Sequence, residues 1–66
     1  MEEDLKKLTQ EAIRNAYATT IHQLFNVMNV ASDEYRSEAV KNMKEGLRLA
    51  VDTYKKSMEI SNDFFG

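Results

Sequence analysis

Asn29-Val30-Ala31-Ser32-Asp33 is the stretch on which the fold turns. On either side of it, apolar residues recur every three or four positions, the spacing of an amphipathic helix. Upstream, Leu5, Leu8, Ala12, Ala16, Thr20, Leu24, Met28 and Ala31 form one such row, which Ile13, Tyr17, Ile21 and Phe25 widen. Downstream, Val40, Met43, Leu47, Ala50 and Tyr54 follow steps of 3, 4, 3 and 4, a short heptad seam. A connection this short between two long helices folds them back on each other. The spacing therefore predicts an all-α chain, an antiparallel two-helix hairpin, as a single domain over residues 1–66. The first helix is expected over about residues 3–30 and the second over about 33–62. Ser32 is the expected N-cap of the second, with Asp33 and Glu34 favouring its dipole. One continuous helix is the alternative, since neither Pro nor Gly enforces a bend there.

At 66 residues the chain sits near the lower size limit for independent folding, and it contains no Cys to staple a small core. A lone hairpin gives each helix one neighbour, and these apolar faces are wider than one seam needs. The expected remedy is assembly into an oligomeric helical bundle, a dimeric four-helix bundle or a larger ring. Phe64 and Phe65 point the same way, as adjacent large aromatics that need something to dock on. The hairpin brings them toward Leu5 and Leu8, of the same chain or a neighbour; a frayed terminus is the alternative.

Composition narrows the function more by exclusion than by signal. Absence of Cys removes disulfide scaffolds and cysteine-based metal sites, and absence of Pro with only two Gly argues against a turn-rich β-fold. A net charge of −2 gives no bulk reason to bind duplex DNA. No basic segment leads into an apolar one at the start, so a cytoplasmic location is expected, without membrane association. His22 is the lone histidine and has no Asp or Glu three or four residues away, so neither a metal site nor a nucleophile–base pair is expected within the chain. No Gly-rich phosphate loop is present either. The expectation is a protein that is not an enzyme and needs no cofactor.

Two rows of side chains stand out. From Asn15 to Ser32 the chain carries no charge, and its outer row is Asn15, Thr19, His22, Asn26 and Asn29. Such groups exchange hydrogen bonds without the desolvation cost of charge. They suit either a polar seam between subunits or recognition of a neutral, base-like edge. On the second helix Lys41, Lys44, Arg48 and Lys55 form a basic row, with Ser37 just before it and Arg36 nearby. Either Glu38, Glu45 and Asp52 neutralise it as a salt-bridged outer face, or Arg36, Ser37, Lys41, Lys44 and Arg48 grip a phosphate. Tyr35 is either a core-edge residue or a stacking platform. Ala39, Gly46 and Thr53, seven apart, form a stripe of small side chains that permits close helix packing. Glu2 with Lys6 and Glu3 with Lys7 are candidate pairs on the first helix.

The segment Ser32-Asp33-Glu34-Tyr35-Arg36-Ser37-Glu38-Ala39, continued by Met43, Glu45, Leu47 and Ala50, resembles the hairpin domain of phage anti-CBASS and anti-Thoeris sponge proteins. Ile13-Arg14 and Ala16 are similar to its first helix. Asn29-Val30-Ala31 stands where the family has a proline-rich turn, Leu49-Ala50-Val51 where it has Trp-Ala-Asn, and Lys41-Asn42 where it has Thr-Lys. Of its ligand positions, Arg36 and Ser37 match. The resemblance implies an oligomer that sequesters a cyclic-nucleotide immune signal without cleaving it, in the host cytoplasm if phage-encoded. In this sponge reading, Arg36, Ser37, Lys41, Lys44 and Arg48 face phosphates of a cyclic oligonucleotide or other small phosphorylated ligand at subunit junctions. Tyr35 stacks on the base and Asn26 or Asn29 reads its edge. The competing reading is a dimeric four-helix-bundle adaptor or inhibitor that binds another protein, or RNA, through the uncharged face. A third, a bundle enzyme, requires a bound metal.

Overall fold

A computed structural model of the chain describes all 66 residues and consists of two helices, α1 (Glu2–Val30) and α2 (Arg36–Phe65). They pack side by side as a hairpin whose Cα atoms span 52 × 16 × 6 Å, one layer of helix thick. The reversal occurs where the short connection was expected, so the continuous-helix alternative does not hold. Ala31 leaves the helix with extended backbone, φ −68° and ψ 134°, and a turn follows in which the Tyr35 N–H donates to the Ser32 carbonyl at 3.0 Å. Ser32 and Asp33 are residues whose side chains compete with helical hydrogen bonding, which favours a turn at this position.

Ser32 does not cap α2. The helix begins three residues later than the cap assignment required, at Arg36, with Tyr35 in the cap position and no side-chain cap bond. At the other end α2 runs on to Phe65, so the terminal aromatics are helical rather than frayed. Their rings meet edge to face, centroids 5.0 Å apart. Phe65 is partly buried, whereas Phe64 is 80% exposed. The candidate pairs Glu2–Lys6 and Glu3–Lys7 do not close; the ion pairs that form are Asp33–Arg36, Glu45–Arg48 and Asp52–Lys56.

The seam between the helices is made from Ile13, Tyr17, Leu24 and Met28 of α1 and from Met43, Gly46, Ala50 and Tyr54 of α2, all partly buried. At mid-length Tyr17 and Tyr54 meet edge to face, centroids 5.2 Å apart. Nearer the chain ends Gln10 Nε2 donates to Asn62 Oδ1 at 3.1 Å. On the α2 side Met43, Ala50 and Tyr54 face α1 as the heptad spacing predicts, and two of the seam residues expected there do not. Val40 and Leu47 lie at its lip, each 37% exposed, and Ala39 and Gly46, one residue back, take the inward positions. Small side chains let the helix axes approach, and a methyl group at Gly46 would sit 2.7 Å from Leu24 Cδ2.

No apolar residue is buried; Ser61 alone is, at 3% exposure. The chain exposes 5484 Å², whereas a compact monomer of 7.6 kDa exposes about 4,300 Å² by the scaling of surface with mass. No helix is long and apolar enough to cross a membrane.

Candidate functional site

One broad face of the hairpin is an open apolar groove. Its α1 wall is Ala12, Ala16 and Thr20, its α2 wall is Leu49 and Thr53, and its floor is the seam at Tyr17, Leu24, Gly46 and Tyr54. The hollow measures about 550 Å³. Thr9, Ile13 and Ser57 continue it into a second hollow of about 390 Å³ toward the chain ends, lined by Ile60, Ser61, Phe64 and Phe65. Large side chains lining it are exposed: Leu49 by 54%, Ile60 by 68% and Phe64 by 80%. The Ser61 hydroxyl, at the floor of the second hollow, has no hydrogen-bond partner. The large groups on the groove's α2 side, Leu49, Ile60 and Phe64, were not singled out together from the sequence. Their spacing of 11 and 4 is helical, yet it belongs to a second apolar strip beside the seam rather than to the seam itself.

The two polar rows lie elsewhere. A helix turns about 100° per residue, so the residues facing the partner helix fix the direction of all the others. On α1 this places Asn15, Thr19, His22, Asn26 and Asn29 along the edge turned away from α2, and all five are exposed. On α2 it places Ser37, Lys41, Lys44, Arg48 and Lys55 along the edge turned away from α1, again all exposed. A single chain therefore keeps the rows on opposite edges and does not bring Asn26 or Asn29 together with Lys41, Lys44 or Arg48. Tyr35, 59% exposed, and Arg36 sit at the loop end of the hairpin.

Charge pairing within the basic row is incomplete. Arg48 Nη2 donates to Glu45 Oε1, and that hydrogen bond with the attraction behind it holds the Glu45 carboxyl below its ordinary range and pushes Arg48 upward. Arg36 Nε lies 4.0 Å from Asp33. Asp52 pairs with Lys56, outside the row, at 3.6 Å. Lys41 and Lys44 have no acidic side chain within ion-pair distance, and neither does Lys55. This leaves two adjacent turns of cationic edge available to an anion.

His22 is exposed on the outer edge of α1, and no group of three or more His, Asp or Glu side chains converges to hold a metal. No family model, curated protein or solved structure matches the chain. The geometry offers an apolar groove for a macromolecular surface and a cationic edge for an anion, separated by the width of a helix.

Proposed function

We propose that this chain is a non-enzymatic binding protein that works as a homo-oligomeric helical bundle in the cytoplasm and sequesters a small phosphorylated ligand at the junction between copies. The observation that carries the oligomer is the uncovered groove, where Leu49, Ile60 and Phe64 stand in water while no apolar residue in the chain is buried. Three further considerations support the ligand. Lys41 and Lys44 are without acidic partners, the opposite edge bears neutral hydrogen-bonding groups suited to a base, and the resemblance of residues 32–50 is to cyclic-nucleotide sponges. Arg36, Ser37, Lys41, Lys44 and Arg48 are assigned to phosphates and Tyr35, Asn26 and Asn29 to the base. The cationic edge is too short to track a duplex, where affinity comes from repeated phosphate contacts.

A screen of cyclic di- and trinucleotides by thermal shift and calorimetry tests the ligand. A ligand held at 100 times its Kd stabilises the folded state by about 2.7 kcal/mol, readily seen as a rise in Tm. The reading predicts such a rise for at least one of them, lost in a Lys41→Glu/Lys44→Glu variant. No rise with any of them contradicts the sponge.

The second reading, an adaptor or inhibitor that docks another protein, rests on the groove's apolar lining, which suits a helix of a partner better than a nucleotide. A pull-down that retains one macromolecular partner, in competition with self-association, distinguishes it.

A further inference from the structure

The two sides of the groove differ in the size of their side chains. Its α1 side is a strip of small residues, Thr9, Ala12, Ala16 and Thr20, and its α2 side carries the large groups Leu49, Ile60 and Phe64 with Thr53 and Ser57 between them. Two flat hairpins stacked through this face have two symmetric arrangements. A two-fold axis across the helices sets α1 on α1 and α2 on α2, which leaves the two small strips facing each other with no large group to fill the space between them. A two-fold axis along the helices sets α1 of each copy on α2 of the other, which puts large groups over the small strip twice, once on each side.

The register is also right. Within the chain Leu24 lies level with Gly46, Tyr17 with Tyr54 and Gln10 with Asn62. A two-fold axis along the helices preserves these levels. Leu49 then comes over the second copy's Thr20, Thr53 over its Ala16, Ile60 over its Ala12, and Phe64 between its Leu5 and Thr9. Every exposed large side chain of the groove finds either a gap or an apolar partner. The surface at stake is sufficient: one face of the hairpin spans 52 × 16 Å between Cα extremes, the size of a stable interface, which buries about 800 Å² per partner.

We propose that two copies pair through this groove about an axis parallel to the helices, α1 on α2 of the other copy, with both loops at the same end. The proposal rests on the homo-oligomer reading above and adds a consequence for its ligand site. Rotation about that axis brings the outer edge of α2 and the outer edge of the second copy's α1 onto one side of the bundle. Lys41 and Lys44 fall level with the second copy's Asn29 and Asn26. Glu38 and Glu45 line the same side, Glu45 engaged by Arg48. The arrangement with loops at opposite ends leaves the two rows apart.

Spin labels on the full chain at Ser32→Cys, an exposed loop position, measure the arrangement by pulsed dipolar spectroscopy, with light scattering on the same sample. Loops at the same end give an inter-label distance of about 20 Å, from helix axes 8–10 Å apart in a square bundle. Loops at opposite ends give a distance close to the 52 Å length of the hairpin. A dimer with the long distance overturns the arrangement and leaves the homo-oligomer standing; a folded monomer overturns both. Ala16→Glu tests the face, because Ala16 is exposed and its side chain supports nothing in the single chain. The variant is expected to weaken self-association at least tenfold while remaining helical, and an unchanged dimer places the interface elsewhere.

Discussion

Leu24 closes over Gly46 so tightly that a β-carbon on the glycine would lie 2.7 Å from the leucine's Cδ2. The contact sets how near the two helices come and explains a mid-helix glycine that otherwise costs about 1 kcal/mol relative to alanine. Gly46→Ala gains that propensity and asks only the end of a flexible side chain to move, so the net change is expected within about 1 kcal/mol. Gly46→Ile overfills the seam and is expected to lose about 1–3 kcal/mol. Urea denaturation followed by circular dichroism reads both.

Tyr17 and Tyr54 form the edge-to-face contact at mid-hairpin, with planes at 61°. A double-mutant cycle with Tyr17→Leu and Tyr54→Leu is expected to give a coupling of about 0.5–1.5 kcal/mol. A coupling indistinguishable from zero means the helices do not pair at this level.

The hairpin was legible because its signals are local: two runs of three-and-four spacing and a polar break at Ser32 and Asp33. The seam was less so. The stripe of Ala39 and Gly46 was legible as a site of close packing, but placing Val40 and Leu47 in the same seam assumed that the largest apolar residues face the nearest helix. On α2 the small residues Ala39, Gly46 and Ala50 face it beside Met43 and Tyr54, and Val40 and Leu47 flank it. An apolar face wide enough for two neighbours does not say which strip meets which neighbour. The basic and neutral rows were likewise visible as rows, but their opposite placement follows only once the seam is known.

Ser61 is the one buried residue, and its hydroxyl has no partner. An unpaired buried hydroxyl costs about 1–3 kcal/mol of desolvation, which Ser61→Ala removes while retaining a small side chain at the seam. The variant is expected to be more stable by roughly 1 kcal/mol in the same denaturation assay. A loss of stability means the hydroxyl is bonded in solution.

Glu45 is held ionised by Arg48, its carboxyl lowered from the ordinary value of 4.5. A lowered folded-state value makes this pair's contribution present above the unfolded carboxylate's pKa and lost as pH falls through the lower, folded value. Both groups are exposed, so the effect is small and screened by salt. Helicity titrated from pH 6 to pH 2 at low ionic strength is expected to show a shallower acid limb in Glu45→Gln than in the parent. Identical limbs mean that the pair makes no difference to the fold.

Asn26 lies on the edge of α1 away from both α2 and the groove. Asn26→Glu is therefore expected to leave self-association unchanged by light scattering, and to weaken any cyclic-nucleotide binding by placing a negative charge beside the phosphate site. A variant that falls to monomer makes the uncharged row a subunit seam instead.

On the proposal above, another copy covers the groove lined by Ala12, Ala16, Leu49 and Ile60. Sedimentation velocity with circular dichroism across a dilution series from about 100 µM to 0.1 µM tests it most directly, since an association that completes the core couples helicity to concentration. The expected result is a dimer or larger species at high concentration that loses helical signal as it dissociates. A chain that stays fully helical and strictly monomeric across the series contradicts the claim.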